Sequence, residues 1–223
     1  VPAHRSFLRV VRLLLAAGAG GGGDPEAAEA ILRRLKFSNA EIRRGTRLVE
    51  HYLPLVRPDD VVLELGPGTG RITRFVLPRC RRMILADYSR VVCRWLPLHF
   101  RGQGSFDVVH LSAPTFPSIP PNSVDLVISH GVFEHLDFDD ASWFLEDFAR
   151  VLRPDGKLRF NYENLLSAGG AAFLGKHRLR PGHRNVFRFY TPEMMERMVR
   201  LAGFTQVRSL TSDDRWAFLD AVA

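Results

Sequence analysis

From position 61 onward, short apolar runs alternate with longer stretches in which apolar residues recur every three or four positions. The short runs are rich in residues that favour strands, whereas the longer stretches have helical periodicity. The runs that predict strands are 61–65, 83–86, 108–111, 124–128 and 157–160. Strands that alternate with helices predict an α/β fold, with a parallel sheet covered by helices on both faces.

The clearest helix follows the fourth predicted strand and ends at Pro154-Asp155-Gly156. Its apolar positions form one stripe, which we expect to pack on the sheet: Ala141, Phe144, Leu145, Phe148, Val151 and Leu152. A further helix is predicted from Thr191-Pro192-Glu193 to about Ala202, because proline is favoured at the first helical position. Residues 204–210 and 216–222 then predict a closing antiparallel hairpin.

The N-terminal part of the chain differs from the rest. The glycine-rich stretch 18–23 predicts a flexible joint. The N-cap pair Asp24-Pro25 and the capping box Ser38-Asn39-Ala40-Glu41 predict two helices before the sheet. We therefore expect three parts, which are a flexible segment over 1–23, a helical extension over 24–56 and one α/β domain over 57–223.

The most informative stretch is Glu64-Leu65-Gly66-Pro67-Gly68-Thr69-Gly70-Arg71, between the first predicted strand and a helix expected to start near Thr69. Glycines let backbone approach a ligand, and a helix N-terminus presents unpaired N–H groups. The spacing G-x-G-x-G departs from the dinucleotide fingerprint G-x-G-x-x-G, which counts against NAD. Asp87 ends the second strand, where a carboxylate can accept hydrogen bonds from ribose hydroxyls. Together these features predict an adenosine-containing ligand.

On these residues the sequence resembles the class I S-adenosylmethionine (SAM)-dependent methyltransferases. The matches, in the order of the family's motifs, are VLELGPGTG at 62–70, ADYS at 86–89, DLVIS at 125–129 with FEHL at 133–136, LRPDGKL at 152–158, and FYTP at 189–192 with AGF at 202–204. The resemblance implies a Rossmann-like, doubly wound sheet of seven strands, mostly parallel with an antiparallel last strand. It also implies SAM as the cofactor and S-adenosylhomocysteine (SAH) as the product.

The resemblance further implies that the glycine loop lies near the methionine portion of SAM, that Asp87 holds the ribose and that Tyr88 lies near the adenine. Many members have an acidic residue after the third strand, but this chain has Ser112-Ala113-Pro114 there, so adenine recognition is expected to rest on Ser112 or on backbone groups. The alternatives without a ligand are a tight turn at the glycines and a helix cap at Asp87. The predicted cofactor-binding residues are Glu64, Leu65, Gly66, Gly68, Gly70, Asp87, Tyr88, Ser112, Ala113 and Ser129.

Acceptor chemistry is expected at the carboxyl ends of the strands, where open α/β sheets bind ligands. The candidates are His130, Glu134, His135, Asn161, Tyr162 and Glu163. His130 and His135 are the predicted catalytic residues, because an alcohol acceptor benefits from a general base. The alternatives are a hydrogen-bonded structural histidine at 130 and a pocket-wall residue at 135. Carboxylates at Asp137, Asp139 and Asp140 could bind magnesium, but helix capping is the favoured interpretation and no metal is predicted.

Composition adds weaker indications. The formal net charge is +7, and only three of the 31 basic residues are lysines, so the charge permits an anionic partner without requiring one. The insertion 165–188 contains a basic run from 176 to 184 and predicts a long loop that serves as an acceptor-binding lid. Cys80 and Cys93 lack metal-ligand spacing and favour a cytoplasmic location. The apolar stretch 10–19 is interrupted by Arg12 and is too short to span a bilayer.

We therefore expect methyl transfer from SAM to a small-molecule acceptor, at oxygen, with nitrogen and carbon acceptors left open. The basic lid would suit an anionic acceptor, and a solvated basic loop is the alternative. RNA methylation is the first alternative, favoured by arginine-rich helices over 33–47. Against this alternative, the chain has Ser129-His130-Gly131-Val132 after the fourth strand in place of an Asn/Asp-Pro-Pro-aromatic tetrad. A SAM-binding scaffold without catalysis is the second alternative.

Overall fold

The computed structural model describes residues 51–177, 187–211 and 215–223. The segment predicted over 1–23, nearly all of the extension predicted over 24–56, and residues 178–186 of the predicted lid lie outside the described residues. In the described part, seven strands form one sheet. They are β1 Val61–Leu65, β2 Arg82–Asp87, β3 Phe106–His110, β4 Val124–Ser129, β5 Leu152–Glu163, β6 Thr205–Thr211 and β7 Trp216–Val222.

The strand order is β3-β2-β1-β4-β5-β7-β6. Strands β1 to β5 pair in parallel, and β7 runs antiparallel to both of its neighbours, β5 and β6. This arrangement confirms the predicted doubly wound, mostly parallel sheet with an antiparallel last strand. The carboxyl ends of β1, β2, β4 and β5 meet at one edge, where open α/β sheets bind ligands.

Five α-helices are described. They are α1 Thr73–Val76, α2 Arg90–His99, α3 Phe138–Val151, α4 Ala168–His177 and α5 Pro192–Leu201. Short 3₁₀ turns cover Leu53–Leu55, Leu77–Arg79 and Phe133–His135. None of the helices in the described residues is long and apolar enough to cross a membrane.

Two helical segments differ from the predictions. The helix after the glycine loop begins at Thr73 and not near Thr69, because Gly68 and Gly70 have positive φ angles of 53° and 71°, which an α-helix does not allow. The predicted loop over 165–188 contains the helix Ala168–His177. In this helix Gly170 packs closely against the backbone, since a Cβ at Gly170 would overlap the Asn164 carbonyl.

Helices cover both faces of the sheet, as predicted. Apolar residues of α3 and α5 pack on one face, and those of α1 and α2 pack on the other. The side chain of Tyr52 is fully buried in the second of these layers, beside Leu126 and Phe218. The core of the domain therefore includes a residue that lies before position 57, where the sequence predicted the domain to begin.

Candidate active site

The loop after β1 has the backbone conformation that its glycines predict. Gly66, Gly68 and Gly70 all have positive φ, and the N–H groups of Gly66 and Gly70 donate to the carbonyls of Ala86 and Pro67, both at 2.8 Å. A Cβ at Gly66 would overlap the Val132 side chain, and one at Gly70 would overlap the Phe100 ring. A Cβ at Gly68 would meet nothing within 4 Å. Packing thus explains Gly66 and Gly70, whereas Gly68 borders open space.

Asp87 joins the end of β2 to this loop. Its Oδ1 accepts the N–H of Ser89 at 2.8 Å, and its Oδ2 lies 3.4 Å from the N–H of Gly68. Burial raises the pKa of Asp87 above its ordinary value, and these two backbone N–H groups oppose that rise. The residue that caps α2 is Ser89, whose hydroxyl accepts from Val92 N. Capping of α2 therefore does not account for the Asp87 carboxylate.

Glu64 and Ser129 are buried between the loop and the neighbouring strand ends. Glu64 Oε2 accepts a hydrogen bond of 2.7 Å from Thr73 Oγ1, and burial raises the pKa of Glu64 to about 7 against the opposing effect of that bond. Ser129 Oγ donates to the Leu65 carbonyl at 3.1 Å. The Leu65 side chain lies in the core, so only its backbone faces this edge. The Ser129 bond joins β4 to β1, and the Glu64 bond joins β1 to α1. Ligand contacts of these residues stay a prediction.

The predicted adenine-side residues lie at the adjoining ends of β2 and β3. Tyr88 is 43% exposed, and its ring meets Phe144 edge-on with centroids 6.1 Å apart. Ser112 and Ala113 are both exposed. They follow Leu111, whose N–H donates to the Asp87 carbonyl at 2.9 Å. The structure thus brings together the residues predicted to hold the ribose and the adenine.

His130 is half-buried after β4, among aromatic side chains. Its ring lies 5.3 Å from that of Trp216 and 6.2 Å from that of Phe218, and its Nδ1 lies 3.2 Å from the Tyr52 hydroxyl. That hydroxyl donates its own proton to the Ser129 carbonyl, so Nδ1 is assigned as the protonated nitrogen. Burial lowers the pKa of His130 to about 3. The ring is therefore neutral and weakly basic at pH 7, which supports the structural interpretation more than the catalytic one.

His135 has a different environment. Its side chain is 46% exposed, with Nε2 3.8 Å from Glu134 Oε1, and its ring lies 5.3 Å from that of Phe187. It is placed at the surface side of the turn Phe133–His135, while Glu134 in the same turn is buried. A catalytic role for His135 stays a prediction, and Glu134 is the residue of this turn that lies inside.

Residues of β5 divide between the two faces of the sheet, as strand periodicity requires. Asn161 and Glu163 face the layer that contains His130, and both are fully buried. Asn161 Oδ1 accepts the N–H of Gly131 at 2.8 Å, and Glu163 Oε1 accepts the indole N–H of Trp216 at 2.8 Å. Tyr162 faces the opposite layer, where its hydroxyl lies 3.1 Å from Ser209 Oγ. The grouping of Tyr162 with the acceptor-side candidates was therefore wrong.

We refer to Glu134, Asn161 and Glu163 as the buried polar cluster. Within the described residues, Glu134 Oε2, Asn161 Nδ2 and Glu163 Oε2 are buried without a hydrogen-bond partner. Burial, with a further contribution from the Glu134 charge, raises the pKa of Glu163 to about 7, and burial also raises that of Glu134. The Trp216 N–H lowers the pKa of both carboxyls, which indicates that they flank the same indole.

Arg215 and Phe173 cover this cluster. Arg215 Nη2 lies 2.8 Å from Glu163 Oε1, and its guanidinium lies over the rings of Phe173, at 3.9 Å, and Trp216, at 4.5 Å. Phe173 belongs to α4, which is the described part of the predicted lid. The helix therefore contributes an apolar surface at the site, a feature that the basic composition of this insertion did not predict.

The three aspartates near the start of α3 do not converge. Asp137 pairs with the Arg188 guanidinium at 2.5 Å, and Asp139 and Asp140 lie in the first turn of the helix, where carboxylates complement its dipole. Among the described residues, no group of three side chains has an arrangement that could hold a metal ion. The favoured N-terminal interpretation holds for Asp139 and Asp140, whereas Asp137 is the N-cap by position without a side-chain capping bond.

Sequence reasoning missed several residues of this site. Tyr52, Thr73, Arg215 and Trp216 each make a hydrogen bond or ion pair to a candidate residue. Arg71 also acts here, since its charge lowers the pKa values of Glu64 and Glu134 against the larger effect of burial. Arg71 lies in the glycine motif and could have been found there. The others required the tertiary contacts.

The sheet order, the glycine loop after β1 and the acidic residue at the end of β2 are features of a Rossmann-like domain. A family model described as a methyltransferase domain matches residues 63–160. Ribosomal RNA small subunit methyltransferase A of a Synechococcus strain is 33% identical over 98 residues, which cover 44% of this chain and 30% of that protein. The ubiquinone/menaquinone biosynthesis C-methyltransferase UbiE of Hydrogenovibrio crunogenus is 33% identical over 112 residues, which cover 46% and 42%. The chain thus spans less than half the length of these curated relatives.

Solved structures agree in fold. A SAM-dependent methyltransferase from Archaeoglobus fulgidus has a TM-score of 0.63 at 17% identity, covering 87% of this chain and 99% of that one. The N-methyltransferase NodS from Bradyrhizobium japonicum, solved with SAH, has a TM-score of 0.63 at 16% identity, covering 98% of each chain. Residues 63–160 of this chain therefore match a methyltransferase domain family, and the described fold is one that SAM-dependent methyltransferases have.

Proposed function

We propose that this chain transfers the methyl group of SAM to a hydroxyl group of a small molecule. The residues at the sheet edge fit the cofactor, because Gly68 borders open space and Asp87 presents a carboxylate beside it. In this proposal Gly66 and Gly68 contact the methionine portion, Asp87 the ribose, and Tyr88 and Ser112 the adenine. When bound, SAM supplies an activated methyl group that a nucleophile can accept.

The observation that carries the proposal is the buried polar cluster beside the glycine loop. Two observations place the cluster beside the loop. The charge of Arg71, in the loop, lowers the pKa values of both Glu64 and Glu134. Gly66 packs against Val132, which lies two positions before Glu134 in the chain. Acceptor and donor groups in methyl transfer must be aligned and shielded from water. A buried polar cluster at this place meets that requirement.

The burial of the cluster favours a small acceptor over RNA. Glu134 and Glu163 bring two carboxyls into one buried site, covered by the Phe173 ring and the Arg215 guanidinium. A phosphate of an RNA backbone would not be solvated in this buried site. The net charge permits an anionic small molecule, but the charged group of that molecule would have to lie at a distance from its reacting group.

The mixture of donors and acceptors suits a hydroxyl acceptor. Asn161 Nδ2 is an unpaired donor, and the Oε2 atoms of Glu134 and Glu163 are unpaired acceptors, within the described part of the chain. A hydroxyl donates one hydrogen bond and accepts others, so it matches both kinds of group.

RNA methylation is the second candidate, because one relative is named as a ribosomal RNA methyltransferase.

Two assays separate the candidates. Titration calorimetry with SAH, and with NAD as a control, tests cofactor binding. Tritiated methyl transfer from SAM is then measured to the small-molecule fraction of a cell extract and, separately, to total RNA. Label in small molecules supports the proposal. Label in RNA alone, with binding that weakens steeply as salt rises, supports the second candidate. SAH binding without transfer to either would indicate a scaffold.

A further inference from the structure

We propose that Glu163 is the general base that takes the proton of the acceptor hydroxyl, and that Asn161 donates a hydrogen bond to the same oxygen. This inference rests on the proposed function and goes further by assigning the residues that contact the acceptor. The two histidines after β4 then have no proton-transfer role. Three features of the structure, considered in turn, carry the assignment.

The first feature is how the Glu163 carboxyl is held. Oε1 accepts hydrogen bonds from Trp216 Nε1 and Arg215 Nη2, both at 2.8 Å. Two donors on one oxygen fix the plane of the carboxyl and leave Oε2 unpaired among the described residues. A buried polar oxygen without a partner is unfavourable, and a donor on the acceptor molecule would remove that penalty. The carboxyl is thus positioned for one further donor.

The second feature is the orientation of the Asn161 amide. Its Oδ1 accepts the N–H of Gly131 at 2.8 Å, which requires that the other terminal atom is the NH₂ group. Asn161 and Glu163 are two positions apart on β5, so their side chains project to the same face of the sheet. The Asn161 NH₂ and Glu163 Oε2 therefore offer a donor and an acceptor on one side of the strand.

The third feature is the charge around Glu163. Burial is the largest cause of its raised pKa of about 7, the Glu134 charge adds to it, and Arg215 opposes it. Other titratable groups that the described residues place on this face are Tyr52, Arg159 and His130, and burial lowers the pKa of His130 so that its ring is neutral. A base works best when its pKa lies near the working pH, and the Glu163 carboxyl meets that condition. The histidine, with a pKa of about 3, does not.

The proposed step conserves atoms and charge. The acceptor oxygen forms a bond to the methyl carbon while the carbon–sulfur bond of SAM breaks, and the electron pair of that bond remains on sulfur as SAH forms. The hydroxyl proton moves to Glu163 Oε2, and the neutral carboxyl later releases it to water. Asn161 holds the oxygen so that a lone pair faces the methyl group.

The test compares Glu163→Gln with the exposed control Glu146→Gln in the full chain. A labelled product from the small-molecule fraction is identified by mass spectrometry and nuclear magnetic resonance, and its acceptor is then used for kinetics. We expect an O-methyl product. For wild type and Glu146→Gln, kcat/KM should rise with pH towards about 7, because the base must be deprotonated. Glu163→Gln should lower kcat by about 10²- to 10⁴-fold and remove this rise, with SAH affinity unchanged.

A second variant protects the test if Glu163→Gln does not fold. Glu134→Gln removes the neighbouring charge but keeps the base, so the rise in kcat/KM should move to lower pH. Infrared difference spectra offer a readout without turnover, because the carbonyl band of a protonated Glu163 carboxyl should disappear near pH 7 in wild type and be missing in Glu163→Gln.

The outcomes separate the inference from the proposed function. SAH binding without label in any small molecule overturns the proposed function, and a nitrogen-methylated product overturns the choice of oxygen together with the base. An O-methyl product whose formation keeps its rate and pH dependence in Glu163→Gln overturns only the assignment of the base. A rise in kcat/KM at the same pH in Glu134→Gln as in wild type also overturns only the assignment of the base.

Discussion

Replacing Gly68 with alanine tests whether the open side of the glycine loop receives the cofactor. Gly68 has φ +53°, and a Cβ there meets nothing within 4 Å. Gly102, in the loop before β3, is a matched control, with φ +74° and equally open space around its Cβ. Alanine in the left-handed region costs about 1–2 kcal/mol at either position, with no added clash. Both variants should therefore lose the same stability, roughly 2–8 °C in Tm for a domain of this size.

The two variants should differ when SAH is present. At a concentration of about 100 Kd, a ligand stabilises the native state by about 2.7 kcal/mol. If the Gly68→Ala methyl group weakens SAH binding tenfold, the same concentration gives only about 1.4 kcal/mol. We therefore expect about 1.3 kcal/mol less stabilisation by SAH in Gly68→Ala than in Gly102→Ala. Urea unfolding at several SAH concentrations measures this difference, and calorimetry gives Kd directly.

Equal SAH stabilisation in both variants would refute the assignment of Gly68 to the cofactor site. Without SAH, a loss of stability in Gly68→Ala that far exceeds the loss in Gly102→Ala would show that the space beside Gly68 is not open. Gly70→Ala gives the contrasting case, because its Cβ would overlap the Phe100 ring. That variant should be the least stable of the three before any ligand is added.

Three further predictions concern polar residues. Asp87→Asn should weaken SAH binding about 10- to 100-fold by calorimetry, because hydrogen bonds to a charged group contribute about 1.5–3 kcal/mol, while Asp107→Asn at an exposed ion pair should leave it unchanged. Equal affinities in the two variants would exclude a ribose contact. Thr73→Val removes the 2.7 Å bond to buried Glu64 and should lower the free energy of unfolding by about 1–3 kcal/mol in urea, so an unchanged midpoint would contradict the role given to this bond. His130 has a folded-state pKa of about 3 against an ordinary value of 6.5, so the unfolded chain binds the proton first as the pH falls through that window. Stability should therefore decrease there by about 1.4 kcal/mol per pH unit, and His130→Gln should remove that contribution, whereas an equal slope in both proteins would show that His130 titrates normally.

Much of the fold could be predicted because its signals are local. Strands and helices appear as periodicities of two and about 3.6, and the glycine motif with Asp87 places a ligand edge at the first two strands. Where the sequence erred, short-range geometry was the cause. Positive φ at Gly68 and Gly70 delays the helix to Thr73, and the insertion forms a helix although its composition predicts a loop.

The candidate active site could be predicted only in part. Position after a strand was enough to select Asn161 and Glu163, but it also selected Tyr162, because the sequence shows alternation without showing which face a residue joins. The face is decided by which layer offers a better environment. Tyr162 reaches Ser209 on one side, and Glu163 reaches Trp216 on the other.

The amino-acid sequence by itself determined the class of fold and predicted an edge for an adenosine-containing ligand, since both depend on residues close together in the chain. The prediction of SAM followed from the resemblance of those motifs to a known family. The tertiary structure decided which groups are buried and paired. Trp216 lies 53 positions from Glu163, and Tyr52 lies 78 positions from His130, yet each pair is in hydrogen-bond contact. Those contacts depend on the pairing of β5 with β7 and on the packing of Tyr52 against the sheet. Burial and pairing set the pKa values, and local sequence carries no record of either.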